Sequence, residues 1–541
     1  MIKTFEKYPI ITLSIVVLLM LMVHLDIPNI TIMEARNFIT AREMVKDDSW
    51  FLTTMNGVPR YQKPPLPTWL TAISGLLFGI NNVYALRLPA ALMVLFSGIF
   101  IYFLSLRLNF SKKNSLYNGL ILVSSFYIFA IINEAPWDIY THGFMIAGLY
   151  FLVGFFEKNR FTWKNALLSS IFIGLSILSK GPISLYTLLL PFLISYAVIF
   201  KFNDLKKKVL PLISLVLLFS IIGGWWFVYV RFVDTEAFLE IAIKETGNWS
   251  SYNVKPIYYY WSFFTQSGIW TIPAFIGLLY PYLISRVKNK KAYKFSFWWT
   301  ISAVVLLSLI PEKKPRYLVP VLIPLAINTG FYIQYLVKNF KDLTSKKDTF
   351  PVYFNFGFIA VIGFAVPIAF YVVLKEQLQL YLYHYILTSL SAVIISIAII
   401  KSLIGKKFIF VFYFTILFQV SLLVFGLPIS ESFNKNEDYN AVHSLHIIET
   451  EKNISTFSIG EIAPELLWDY NGILKNIFEN DILSIPTENN FGLLIMNKDV
   501  STISSQLSPQ YNLKLAETYD LNVRAKKKER LIRQFYLVSK K

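Results

Sequence analysis

The chain contains no cysteine, which excludes a disulfide scaffold and leaves the redox compartment open. Charge is also scarce. Asp, Glu, Lys and Arg make up 16% of the 541 residues, against roughly 25% in soluble domains. That shortage argues against the about three or four soluble domains that length alone would suggest. Disorder is excluded by an apolar fraction of 55% and an aromatic fraction of 17%. There is no Gly-rich phosphate loop and no dinucleotide fingerprint. No long-period repeat or low-complexity tract interrupts the chain.

What is present is a series of apolar runs and a net charge of +18. The runs lie at 9–28, 88–106, 115–133, 139–156, 165–180, 183–200, 209–230, 258–285, 295–310, 318–337, 352–374, 379–400 and 408–427. Each approaches the length needed to cross about 30 Å of hydrocarbon as a helix. The expectation is an all-α polytopic membrane domain of about 13 spans over residues 1–427. No small-residue cleavage site follows the first run, so it reads as an uncleaved anchor.

The charge has an uneven address. With the N-terminus placed in the cytoplasm and the spans alternating, one set of loops collects most of the basic residues. It holds Lys3 and Lys7, Arg107 to Lys113, Lys158 to Lys164, Lys201 to Lys208, Arg286 to Lys294, Lys338 to Lys347 and Lys401 to Lys407. Against these stand only Glu6, Glu157, Asp204, Asp342 and Asp348. This positive-inside asymmetry predicts a cytoplasmic N-terminus and an external C-terminal tail. It also accounts for the net charge without a nucleic-acid partner.

The tail, residues 428–541, reads as a small α/β soluble domain. Short β-prone runs at 454–459, 492–496 and 535–538 alternate with helical patterns such as 463–470. The basic cluster from Arg524 to Arg530 reads as an exposed turn or headgroup contact. The stretch 29–87 is a long external loop, and its apolar segment 66–80 is short for a span and reads as interfacial or re-entrant.

Ionisable residues are rare inside the spans and gather at the external span ends, which disfavours an ion-coupled transporter. Glu34 and Arg36 open a short helix after the first span. Arg60 and Lys63 precede a rigid Pro64-Pro65 pair. Asp138 opens the fourth span, and Lys180 sits in a tight turn with Gly181 and Pro182. Lys314, Arg316 and Tyr317 form a compact basic turn. Carboxylates suit general-base and metal work. Lysine, arginine and tyrosine suit a phosphate.

The ordered set of these pieces resembles the membrane-embedded glycosyltransferases of the GT-C fold. The likeness is to the branch with lipid A aminoarabinose transferases and protein O-mannosyltransferases. It is carried by Glu34-Ala35-Arg36, Ala41 to Met44, Asn56-Gly57, Lys63-Pro64-Pro65-Leu66 and Trp69-Leu70. Phe78-Gly79, Arg87-Leu88-Pro89, Asp138, Lys180-Gly181-Pro182, Trp225-Trp226 and Lys314-Pro315-Arg316-Tyr317 with Pro320 complete it.

The resemblance implies an inverting transfer of a sugar from a polyprenyl-phosphate donor to a cell-envelope acceptor, either a lipid A-like lipid or a protein or glycan. The reaction would run at the periplasmic face of a bacterial inner membrane. It implies Glu34 and Asp138 as catalytic carboxylates. Arg36, Lys63 and Tyr317, with Lys314, Arg60 and Lys180, would hold the donor phosphate. The family's first loop carries Asp-Glu before the Arg, and Met33 stands here at the Asp position. The lipid A branch has Glu-Lys-Pro-Pro and a later Glu-His, where this chain has Gln62 and Glu245-Thr246. Losing the metal-associated pair argues against a bound divalent metal and leaves Glu245 as the remaining candidate ligand. The competing readings are a lipid or polysaccharide transporter, which should show repeats and broken, charged spans, and a noncatalytic envelope scaffold.

Overall fold

The computed structural model describes residues 2–157, 161–202, 205–479 and 482–541. Lys158, Arg160 and Asp204 of the basic-loop pattern therefore lie outside the described residues.

The protein is a largely helical, polytopic membrane protein with a β-containing C-terminal domain. Among the described residues, eight helices are long and apolar enough to cross a bilayer, or nine if the bent pair Lys112–Ser124 and Phe126–Glu134 is one span. The eight overlay eight of the thirteen expected runs. The segments 9–28 and 183–200 form shorter apolar helices, Pro9–Met22 and Leu185–Ile199, and 165–180 forms Thr162–Lys180. The segment 258–285 is not one continuous span. It breaks into Ile257–Tyr260, Phe263–Trp270, Thr271–Gly277 and Tyr280–Leu283. Gly268 interrupts it at φ 65°, a conformation closed to most L-residues, and Pro273 and Pro281 lack the amide a continuous helix would need.

Burial sorts the helices. Pro136–Phe156 and Pro315–Asp342 are each 89% buried over their most apolar window and form the middle of the bundle. Leu205–Val233 is 22% buried and Lys346–Gln377 28%, as expected of helices whose apolar sides meet lipid. Close packing in the bundle relies on small residues. A Cβ on Gly174 would come within 2.6 Å of Ile222, and one on Gly223 within 2.5 Å of Ile177. Helices Thr162–Lys180 and Val209–Val233 therefore touch nearly backbone to backbone, which fixes the depth at which Lys180 ends.

The loops sort into two groups that bond within themselves. Lys113 pairs with Glu6 at 2.8 Å, Lys208 donates to the Phe155 and Glu157 carbonyls, and Asn289 donates to that of Leu108. Lys406 donates to the Leu343 carbonyl and Tyr282 to Asp348. These are the loops whose basic excess the sequence placed on one face. The other group carries the polar cluster described below and the C-terminal domain.

At that second end lies the juxtamembrane helix Ile32–Lys46. Thr31 caps it: its hydroxyl accepts from the Glu34 amide, and the Glu34 carboxylate accepts from the Thr31 amide. The segment expected to be interfacial forms Leu66–Phe78, packed on the juxtamembrane helix by one side, with Leu76, Leu77 and Phe78 exposed.

The C-terminal domain is a four-stranded sheet. Thr456–Ser458 runs parallel to Asn490–Ile495, which pairs antiparallel with Ile532–Lys540, itself antiparallel to Tyr511–Asp520. The helices Pro464–Tyr470 and Val500–Leu507 pack beside it. The basic cluster is partly absorbed into this domain, because Lys527 reaches Asp438 and Asp520 and Arg530 takes Glu465 with two bonds of 2.7 Å.

The domain is clamped to the juxtamembrane helix. Buried Arg42 donates to the carbonyls of Leu467 and Trp468 and to the Asn471 side chain, which crown the C-terminal end of Pro464–Tyr470. A cation there meets the negative end of the helix dipole. Asn56 bonds both the amide and the carbonyl of Leu474 at 2.7 Å, and Phe38 packs edge-on against Trp468.

Candidate active site

Asp138 lies in the first turn of Pro136–Phe156, where Pro136 starts the helix and the amides favour a carboxylate. It is 2% exposed. Lys180, the last residue of Thr162–Lys180, donates to its Oδ1. Gly181 at φ 83° ends that helix and turns the chain away, so Lys180 projects toward Asp138. Oδ2 of Asp138 is buried and has no hydrogen-bond partner. A buried carboxylate oxygen without a donor is costly to maintain and points to a function.

Cations surround this pair. Lys180 sits 5.3 Å over the Tyr317 ring, within electrostatic reach of Lys63 and Arg316. Lys63 faces Glu245 at 3.6 Å and also feels Asp138. Burial pushes the Lys63 ammonium below the usual lysine range, and Glu245 and Asp138 pull it partly back. Lys314 bonds Glu312 at 2.6 Å, and the Tyr317 hydroxyl donates to the same carboxylate at 3.1 Å. Lys314 also lies 4.8 Å over Tyr252.

Arg60 spans the floor of the site. It donates to the Arg36 carbonyl and the Thr40 hydroxyl, and its guanidinium stacks 5.5 Å over Trp137, next to Asp138. Burial and the neighbouring Arg36 both push its pKa down. The Arg36 guanidinium meets the thioether of Met33 at 3.9 Å.

Seven of the eight residues expected at the site thus form one connected cluster: Asp138, Lys180, Lys63, Arg60, Arg36, Tyr317 and Lys314. The eighth, Glu34, is elsewhere occupied. It is fully buried, and Arg87 grips both carboxylate oxygens, Nε to Oε1 at 2.7 Å and Nη2 to Oε2 at 3.1 Å. Arg87 in turn donates to the Leu25 carbonyl, so the pair ties the first apolar helix to the juxtamembrane one. Burial raises the Glu34 carboxyl, and Arg87 and the Thr31 cap oppose that shift.

Sequence reasoning passed over His142, which is buried one helical turn below Asp138 with Nε2 3.9 Å from Oδ1. The i,i+4 spacing from Asp138 is the signal that could have found it. Glu312, the partner shared by Lys314 and Tyr317, also earned no role from sequence.

Among the described residues, no group of three His, Cys, Asp or Glu side chains comes close enough to hold a metal ion. Glu245 has a lysine for its neighbour, and the Thr246 hydroxyl is spent on the Ala242 carbonyl. This donor set does not fit a divalent metal.

A buried carboxylate and a crowd of cations lie together at one end of a helical bundle that carries an appended β-containing domain, and the fold is of the GT-C class. Residues 62–226 match the family model of the dolichyl-phosphate-mannose-protein mannosyltransferases. The fold is that of ArnT from Cupriavidus metallidurans bound to undecaprenyl phosphate, at TM-score 0.69 and 16% identity over 97% of each chain. An uncharacterized protein of Aquifex aeolicus is 27% identical over 304 residues, 54% of this chain and 57% of that one. The undecaprenyl phosphate-alpha-4-amino-4-deoxy-L-arabinose arabinosyl transferase of Wigglesworthia glossinidia brevipalpis is 24% identical over 307 residues, 54% of this chain and 53% of that one. The chain thus spans little more than half the length of these two relatives. It is related to the aminoarabinose and protein-mannosyl transferases.

Proposed function

We propose that the protein is a glycosyltransferase that moves a sugar from a polyprenyl-phosphate donor to a cell-envelope acceptor. The observation that carries this reading is the Asp138–Lys180 pair with its free Oδ2, set among cations at the end of the bundle. The family match spans Lys63, Asp138 and Lys180, and the shared fold belongs to a protein that binds undecaprenyl phosphate.

Asp138 Oδ2 accepts the proton of the acceptor hydroxyl while the acceptor oxygen attacks the anomeric carbon. The bond from that carbon to the phosphate oxygen breaks, and the electron pair leaves with the lipid phosphate. Lys63, Arg36 and Arg60 receive the growing negative charge, with Tyr317 and Lys314 at the rim. Lys180 holds Asp138 in orientation through its bond to Oδ1. Attack opposite the leaving phosphate inverts the anomeric centre. Glu34 serves as scaffold, locking the helix that presents Arg36.

The lipid tail of the donor lies in the bilayer beside the bundle. The site faces the periplasm of a bacterial inner membrane, with the N-terminus in the cytoplasm and residues 428–541 as a periplasmic domain. The acceptor is a lipid, a glycan or a protein.

The test is transfer of a radiolabelled sugar from its polyprenyl phosphate to envelope extract by purified, folded protein. Transfer by wild type and its loss in Asp138→Asn support the reading. Wild-type rates in that variant, or retention of the donor's anomeric configuration, refute the role of Asp138 or the inversion respectively.

A further inference from the structure

Glu245 lacks the company a metal ligand needs, yet it faces the cations of the site. It stands on Thr235–Ser251, a helix none of whose described side chains is buried. Tyr61 anchors the start of that helix by donating to Asp234 Oδ2 at 2.7 Å, and Phe238 and Ile241 lean on the cluster of Tyr61 and Trp226. One turn further on, Glu245 reaches inward, with Oε2 3.6 Å from the Lys63 ammonium. Its charge also falls on the Arg60 guanidinium. Both are cations that the donor phosphate requires.

Three carboxylates act on Lys63 and Arg60, and they differ in how firmly they are held. Glu43 is buried and accepts from the Thr54 hydroxyl and from the amides of Asn56 and Gly57. Asp138 is buried and bonded to Lys180. The Glu245 side chain is 41% exposed, and its contact with Lys63 is a loose ion pair. Exposed pairs of this kind contribute little to stability, so breaking one costs little. A carboxylate and a phosphodiester each offer one negative charge and oxygen acceptors to the same ammonium. They cannot share it without like-charge repulsion.

We propose that Glu245 is a resident competitor for the donor phosphate: its carboxylate neutralises Lys63 in the empty site, and donor binding must displace it. This rests on the polyprenyl-phosphate reading above and adds to it a residue that opposes binding. In the empty protein Glu245 also supports the charge on Lys63, because burial lowers the pKa of that ammonium and the carboxylate raises it. The pair keeps the lysine protonated while weakening its hold on the donor.

The experiment measures Kd for bare polyprenyl phosphate on the purified full chain in detergent, at about pH 6.5, well below the ordinary lysine range. Wild type is compared with Glu245→Gln and with Glu240→Gln. Glu240 is exposed on the same helix and is not among the charges acting on Lys63, so its variant removes the same net charge elsewhere. The expected result is that Glu245→Gln binds about three- to fivefold tighter than wild type, the factor a partly exposed ion pair is worth. Glu240→Gln should bind as wild type does. Without Glu245 the Lys63 proton is lost earlier, so the affinity of Glu245→Gln should fall at a lower pH than that of wild type. Carbodiimide coupling reads the contact itself. It should join Lys63 to Glu245 in the empty protein, detected as a cross-linked peptide by mass spectrometry, and saturating polyprenyl phosphate should suppress the product. Unchanged or weaker binding by Glu245→Gln near that starting pH, an equal gain in Glu240→Gln, or a cross-link that survives saturation overturns the proposal. Absent binding of bare polyprenyl phosphate by wild type and both variants instead refutes the underlying donor reading, and this inference falls with it.

Discussion

Lys180 closes its helix with an ammonium on Oδ1 of Asp138, and Oδ2 of the same buried carboxylate is left without a donor. The two residues come from neighbouring helices that share the most extensive packing in the bundle. A charge pair held by so rigid a frame needs little reorganisation when a proton arrives.

Replacing Lys180 by Met strands a buried carboxylate. The expected cost is about 3–5 kcal/mol of stability, the usual figure for breaking a buried pair by removing one partner. Thermal unfolding in detergent reads it. Asp138→Asn keeps the shape but strands the Lys180 ammonium in its turn, so it should also unfold earlier than wild type, while losing transfer by about a hundredfold or more.

The Glu34–Arg87 pair predicts the opposite balance. Arg87→Leu leaves Glu34 charged and enclosed, again at about 3–5 kcal/mol, whereas the double variant Glu34→Leu with Arg87→Leu should recover part of that loss. A double variant no more stable than Arg87→Leu alone would show that the pair is not a closed structural unit.

Lys63 must be protonated to hold a phosphate, and burial sets its pKa below that of an ordinary lysine. Donor affinity should therefore be greatest toward neutral pH and fall as pH rises through that lowered pKa. Lys63→Arg should carry the fall to higher pH, because a guanidinium keeps its proton above about pH 12. Binding of bare polyprenyl phosphate between about pH 7 and 10 reads both limbs.

Arg42→Ala removes three hydrogen bonds from a buried cation to the end of helix Pro464–Tyr470. The expected cost is about 2–4 kcal/mol. It should appear as earlier unfolding of the C-terminal domain, followed by near-ultraviolet dichroism from Trp468.

The helices were legible because twenty-residue apolar runs have few alternatives, as Val83–Arg107 illustrates. The segment 258–285 misled because its hydropathy is that of a span, whereas Gly268, Pro273 and Pro281 decide its shape. The strand Tyr511–Asp520 was invisible. Its residues 514–516 are all exposed and a bulge between Leu515 and Glu517 breaks the alternation. At the site, residue types and spacings gave the cluster but not the pairing. Glu34 and Asp138 look alike in sequence, each an acidic residue in a first helical turn. Only the fold brings Arg87, 53 residues away, onto both oxygens of one and leaves an oxygen of the other bare.

The clamp formed by Arg42 and Asn56 has a consequence for motion. Helix Ile32–Lys46 bonds more extensively to the C-terminal domain than its place between two membrane segments would suggest. Its backbone amides should then exchange with deuterium in step with those of Pro464–Tyr470, as one cooperative unit. Arg36 rides on that unit, while Asp138 and Lys180 belong to the bundle. Strain in the outer domain is therefore expected to reach Arg36, which Glu34 and Arg87 tie back to the bundle.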